Sequence, residues 1–130
     1  MILLPDELRA TLRANAAASL AAGARAAAFD PVPVLKLFNP VGAGTWLATE
    51  LLDDGDTLFG LADLGFGCPE LGNFSLSEIA RVRLPFGLAI ERELTFETRH
   101  ALSVWADTAR CAGSILRAEA LLSRGPEEVR

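Results

Sequence analysis

The chain holds only two cysteines, Cys68 and Cys111, among 130 residues. Two are too few for a disulfide framework, and they lack CxxC spacing, so a reducing cytoplasm is the expected setting. Lys36 is the one lysine and precedes every glycine-rich turn, so no GxxxxGK[ST] phosphate loop exists. His100 is the one histidine. Zinc sites draw on several ligands, so a lone histidine reads first as a surface or capping residue. A basic excess is also missing. Twelve basic against seventeen acidic residues give −5, which argues against a nucleic-acid clamp. Long apolar runs are absent too. The first nine residues lack a signal peptide's basic start, and Pro5 and Asp6 interrupt them early. The Ala-rich stretch 14–29 contains Asn15, Ser19, Gly23 and Arg25, so it is no membrane span.

What is present suits one folded domain, residues 1–130, with residues 125–130 as a frayed tail. Apolar residues make up 51% and charged residues 22%, which excludes a disordered chain. The length supports a core without a structural metal. Charge is uneven along the chain. Residues 1–29 carry three Arg against Asp6 and Glu7 (+1), and residues 80–130 carry eight Arg against seven acids (+1). Residues 30–79 carry Lys36 against eight acids (−7). That central acidity suits a basic protein partner and opposes direct nucleic-acid binding. The plain alternative is solubilising acids in turns.

Residues 6–22 read as a helix, with acids in the first turn, Leu8, Leu12, Ala16 and Leu20 at four-residue spacing, and Gly23 as a stop. Residues 24–29 either extend it or form a loose connection. Asp30-Pro31-Val32-Pro33 leads into a strand at 34–38, followed by a turn through Asn39-Pro40 and Gly42. Strands at 45–52 and 57–64 flank Asp53-Asp54-Gly55-Asp56 as a hairpin. A further strand spans 88–96, and helices follow at 100–112 and 114–123. The expected class is α+β: a small antiparallel sheet covered on one face, with an N-terminal helix, a short central helix and C-terminal helices.

Ser75-Leu76-Ser77-Glu78 is the sharpest local motif. Ser75 and Glu78 match a capping box, with Phe74 and Ile79 as its hydrophobic staple. The rival reading makes Ser75 or Ser77 a nucleophile, but there is no GxSxG elbow. Gly65-Phe66-Gly67 and Gly42-Ala43-Gly44 each lack the third glycine of a dinucleotide loop. Asp53, Asp54 and Asp56 resemble part of a calcium loop, yet Leu58 stands where an oxygen ligand is required. No motif calls for a metal or another cofactor.

Strand alternation puts Arg92 in a row with Leu88, Ile90, Leu94 and Phe96, and puts Glu50 in a row with Trp46, Ala48 and Leu52. An apolar row holds a charge only if it is paired or at the rim. The candidates are a Glu50–Arg92 pair and an arginine whose head reaches water.

Several segments form an ordered series: Pro33 to Phe38, Thr45-Trp46 with Thr49-Glu50, Phe59-Gly60-Leu61, Cys68 to Gly72, Phe74 to Glu78, and Gly87-Leu88 with Ile90 to Glu93. The series resembles the bacterial domain-of-unknown-function family numbered 2958, whose small members occur among plasmid and integrative-element genes. The likeness covers about residues 33–96. It implies a mobile-element setting and no assigned reaction, ligand or partner. Glu93 stands where that pattern has Asp, and Asn73 where an aromatic is usual.

Two readings of function follow. One is a non-catalytic accessory or interaction module of a mobile genetic element, binding a protein partner. The other is a small enzyme or ligand binder using Glu50, Glu70, Glu91, Arg92 and Glu93 as acid and base groups around a cleft.

Overall fold

The computed structural model describes residues 1–23 and 29–124. The expected tail at 125–130, and all but Phe29 of the 24–29 connection, lie outside the described residues. Five strands form one antiparallel sheet: β1 (Leu35–Phe38), β2 (Thr45–Leu51), β3 (Thr57–Asp63), β4 (Glu70–Ser75) and β5 (Glu91–Arg92). Their spatial order is β4-β3-β2-β1-β5. The helices are α1 (Asp6–Ala22), α2 (Leu76–Ala80), α3 (Leu102–Ala112) and α4 (Ile115–Leu122). The chain is thus α+β, as expected, and the β2–β3 hairpin forms. Among the described residues, no helix is long and apolar enough to cross a membrane.

The sheet is covered on both faces, which corrects the one-face expectation. Leu35, Leu37, Ala48, Leu51 and Leu58 pack with Leu12 of α1 and Ile79 of α2. On the other face, Leu47 and Leu61 pack with Trp105, Ala109, Ile115 and Ala118 of α3 and α4. The reason lies in the sequence of β2, where Trp46, Leu47 and Ala48 are consecutive apolar residues. An apolar run that does not alternate belongs to a strand buried on both sides.

Helix α1 begins with Asp6 and Glu7, whose charge favours a helix N-terminus, and ends at Gly23, which donates to the Leu20 carbonyl. Its apolar stripe stops short, because Leu20 is 84% exposed. The helix also finishes the sheet. Strand β1 pairs with β2 only as far as Leu35 opposite Ala48. Beyond that point Asn15 donates to the Thr49 carbonyl (2.9 Å) and Arg13 to the Leu51 carbonyl (2.7 Å). Side chains of α1 thus satisfy backbone acceptors that a longer β1 would have taken.

Two strand expectations need correction. Residues 88–96 do not form one strand: Glu91 and Arg92 pair opposite Phe38 and Leu37, and one more bond follows, from the Glu93 amide to the Lys36 carbonyl (3.0 Å). The ladder ends there because the chain turns at Leu94 and Thr95, and Leu94 is 68% exposed rather than in the core. Strand β4 has no sequence signal, since Gly72, Asn73 and Glu70 are poor strand formers. It exists because six consecutive residues pair with β3, from Glu70 opposite Ala62 to Ser75 opposite Thr57.

A β-bulge controls which way β2 presents its side chains. The register with β3 shifts between Ala48 and Glu50, leaving Thr49 as the extra residue. Gly60 sits opposite the shift. A Cβ there would overlap the Leu47 carbonyl and come within 2.8 Å of Ala48 Cα. Only glycine lets the two backbones approach this closely. After the bulge Glu50 pairs with Phe59, whose ring packs on the α3–α4 core, while Ala48 and Leu51 face α1.

Candidate functional site

The residues singled out in sequence are spread over the sheet. Glu70 opens β4, exposed, opposite Ala62. Glu91 and Arg92 lie on the opposite edge. The Glu50–Arg92 ion pair does not form. Strand β1 lies between them, and the bulge puts Glu50 on the α3 face, whereas Arg92 pairs with Leu37 of the α1 core. The Arg92 head sits at the rim, with Nε donating to the Ile2 carbonyl (3.3 Å) and the amide to Met1 Sδ (3.2 Å).

Glu93 joins a cluster that sequence reasoning missed. Lys36 is 4% exposed, and its Nζ donates to both Glu119 carboxylate oxygens (2.8 and 2.9 Å) and to Glu93 (3.4 Å). This cluster fastens α4 to β1 and to the end of β5. The two carboxylates also line a cleft of about 920 Å³ with Phe96, Thr98, Arg99, His100 and Arg124. Several of its polar groups are already committed. His100 Nε2 lies 3.2 Å from the Leu122 carbonyl at the end of α4, the capping role expected of a lone histidine. Thr98 accepts from the Trp105 indole and the His100 amide, both at 3.1 Å.

Ser75 caps α2, accepting from the Glu78 amide at 3.2 Å. The second arm differs from the expected box. Asp56, not Glu78, supplies the carboxylate, accepting from the Ser77 amide (2.8 Å) and the Ser75 hydroxyl (2.6 Å). These donors hold the Asp56 carboxyl below its usual range. Asp54 is lowered to about 2 by the Thr57 hydroxyl, then by the Thr57 and Asp56 amides. Asp63, fully buried, accepts from the Ile115 amide at the start of α4 (2.8 Å) and from Gly65 (2.9 Å). Asp30 accepts from the amide and hydroxyl of Ser103 in the first turn of α3. Four of the eight acids in the central segment therefore close turns or helix starts.

Glu50 differs from all of these. It lines a second cleft, of about 510 Å³, with Phe59, Leu71, Asn73, Leu102 and Ser103. Burial raises its carboxyl above the usual value of 4.5. No donor among the described residues bonds it. The cleft opens beside β4, where Leu71 and Asn73 are both exposed. Glu50, Phe59 and Asn73 form one row across three strands on the same face, since Glu50 pairs with Phe59 and Phe59 with Asn73.

The backbone of β4 is open on its outer side. The Leu76 amide donates to the Asp56 carbonyl at 2.9 Å, which sets the phase of the antiparallel ladder. Phe74, Gly72 and Glu70 then direct their backbone groups to β3, while Leu71 and Asn73 direct theirs outward. Among the described residues nothing pairs with that side.

The family model described as "Protein of unknown function (DUF2958)" matches residues 3–116. The chain belongs to that family. The match extends past residues 33–96 to take in α1 and α3, so it covers both layers over the DUF2958 sheet. Glu50, β4, Lys36 and Glu93 fall inside it, and Glu119 falls outside. Comparison with curated proteins and with solved structures gives no match.

Proposed function

We propose that this DUF2958 chain is a non-catalytic interaction module that takes an extended partner segment as an added strand on β4. The open outer edge of β4 is the observation that carries this reading. Strand addition uses main-chain hydrogen bonds for affinity and alternate side-chain positions for specificity. Native sheets blunt long edges with Lys, Pro or a covering segment. Strand β4 runs six residues without Lys or Pro. Exposed apolar side chains border it: Leu71 at 40%, and Phe66 at 81% and Leu64 at 60% in the loop before it. Acid–base chemistry has less support, because Glu50, Glu70 and the run Glu91 to Glu93 lie at three separate strands and Glu93 is already bonded to Lys36. An accessory role in a mobile genetic element rests on the family resemblance alone and fits such a module.

Panning a random linear peptide library against the full chain tests this. Asn73→Pro removes an outward amide and leaves the β3 ladder intact, a placement that edge strands tolerate. Leu71→Pro is a second block of the same kind. Enrichment of peptides that bind the parent chain and neither folded proline variant is the expected result. No enrichment, or binding unaffected by both variants, overturns the reading.

A further inference from the structure

We infer that the segment added to β4 carries an arginine opposite Asn73, with its guanidinium directed along the sheet toward Glu50. This rests on the strand-addition reading and names the partner's chemistry. The row Asn73–Phe59–Glu50 runs inward from the open edge on the face that bounds the smaller cleft. Strands are spaced 4.7–4.9 Å apart, so an added strand lies roughly 14 Å from β2, three spacings away. A short side chain on the added strand ends above Asn73. Arginine reaches farthest, and Glu50 leaning outward closes the remaining gap with a hydrogen bond.

The surface along that path suits a guanidinium. Asn73 offers an amide oxygen at the entrance. Phe59 offers a ring midway, over which a planar cation is attracted by the ring's quadrupole. Glu50 then supplies the carboxylate. It is the one acid of the central segment that is both half-buried in a cleft and unbonded among the described residues. Ser103 of α3 also lines the cleft, and its hydroxyl is already held by Asp30. The side chains two residues before and after the arginine fall on the same face as it. One of them meets Leu71, which favours an apolar residue there.

The test uses the peptides selected on the parent chain, resynthesised with arginine or its uncharged isostere citrulline at the enriched position. Binding is read by fluorescence anisotropy on the full parent chain, Glu50→Gln, Phe59→Leu and Asn73→Pro. Citrulline is expected to weaken binding to the parent chain at least tenfold and to change binding to Glu50→Gln little. Phe59→Leu should lower the arginine preference partway. If the selected peptides show no arginine preference, or if citrulline costs the same on Glu50→Gln, the arginine inference is wrong. Sensitivity to Asn73→Pro would in that case leave strand addition standing. Insensitivity to Asn73→Pro would remove both.

Discussion

The two edges of the sheet are built on opposite plans. At one edge β5 is only two residues long, and Met1 and Ile2 lie against it through bonds from Arg92. Just inside that edge the Lys36 cluster ties β1 and Glu93 to α4. At the other edge β4 runs six residues with its outer backbone groups unpaired among the described residues, and a half-buried carboxylate waits two strands in. One edge spends its charges on holding the fold together. The other leaves a charge and a row of backbone groups without partners among the described residues. The contrast teaches that charge count along the chain says little about function, because local bonding decides which charges are free.

The largest expected effect lies at the closed edge. Lys36→Met leaves Glu93 and Glu119 facing each other without a cation. Breaking a buried pair typically costs 3–5 kcal/mol, and since each carboxylate side chain is about a third exposed, ~2–4 kcal/mol is expected in urea unfolding. Adding Glu93→Gln and Glu119→Gln to Lys36→Met should recover much of that loss. A loss under ~1 kcal/mol for the single variant would show that the closed edge is not held by this cluster.

Next comes the bulge that places Glu50 on the α3 face of the sheet. Gly60→Ala forces a methyl group against the Leu47 carbonyl, and because the atom it meets is backbone the cost should be at least the ~1–3 kcal/mol typical of core overpacking. The same variant should lower the affinity of selected peptides beyond its effect on folding, because Glu50 and Phe59 shift together. Ser75→Ala removes the α2 cap at the end of β4 and should cost ~1 kcal/mol, read as a lowered Tm.

The smallest effect separates the acids by pH. Glu50 has its folded-state pKa raised by burial, so its charged form opposes folding, and that penalty grows as pH rises above 4.5. Glu50→Gln should therefore stabilise the domain at neutral pH and leave it unchanged well below 4.5. Asp54 behaves in the reverse sense. Its carboxyl is lowered from 3.8 to about 2, so its contribution is present above 3.8 and fades as pH falls toward about 2. Asp54→Asn should destabilise at neutral pH and lose its effect in that acidic window. Paired thermal melts across pH would separate the two signs.

Features set by near neighbours were legible in the sequence, and features set across the sheet were not. The Ser75 cap was readable because donor and acceptor lie three residues apart. Its second arm was not, because Asp56 reaches it from the preceding turn through the pairing of β3 with β4. Nothing local in the sequence marks Lys36 as buried. Its burial depends on Glu119, 83 positions later, and on a second helical layer that one-face alternation does not reveal. Alternation alone assigns Glu50 to the wrong face, because it assumes an unbroken ladder. Gly60, a lone glycine inside a strand, was the available signal of a bulge or close backbone approach. Strand β4 was invisible to propensity, since its conformation comes from its partner β3.

The most direct measurement is residue-resolved amide hydrogen exchange on the full chain, with and without a peptide selected by panning. The outward amides of Leu71 and Asn73 should exchange rapidly in the free chain while Gly72 and Phe74 stay protected. On peptide addition, Leu71 and Asn73 should become protected, with little change at Lys36 or in α4. Protection of Leu71 and Asn73 already in the free monomer, or a response confined to the cleft beside Glu93 and Glu119, would contradict the open-edge account.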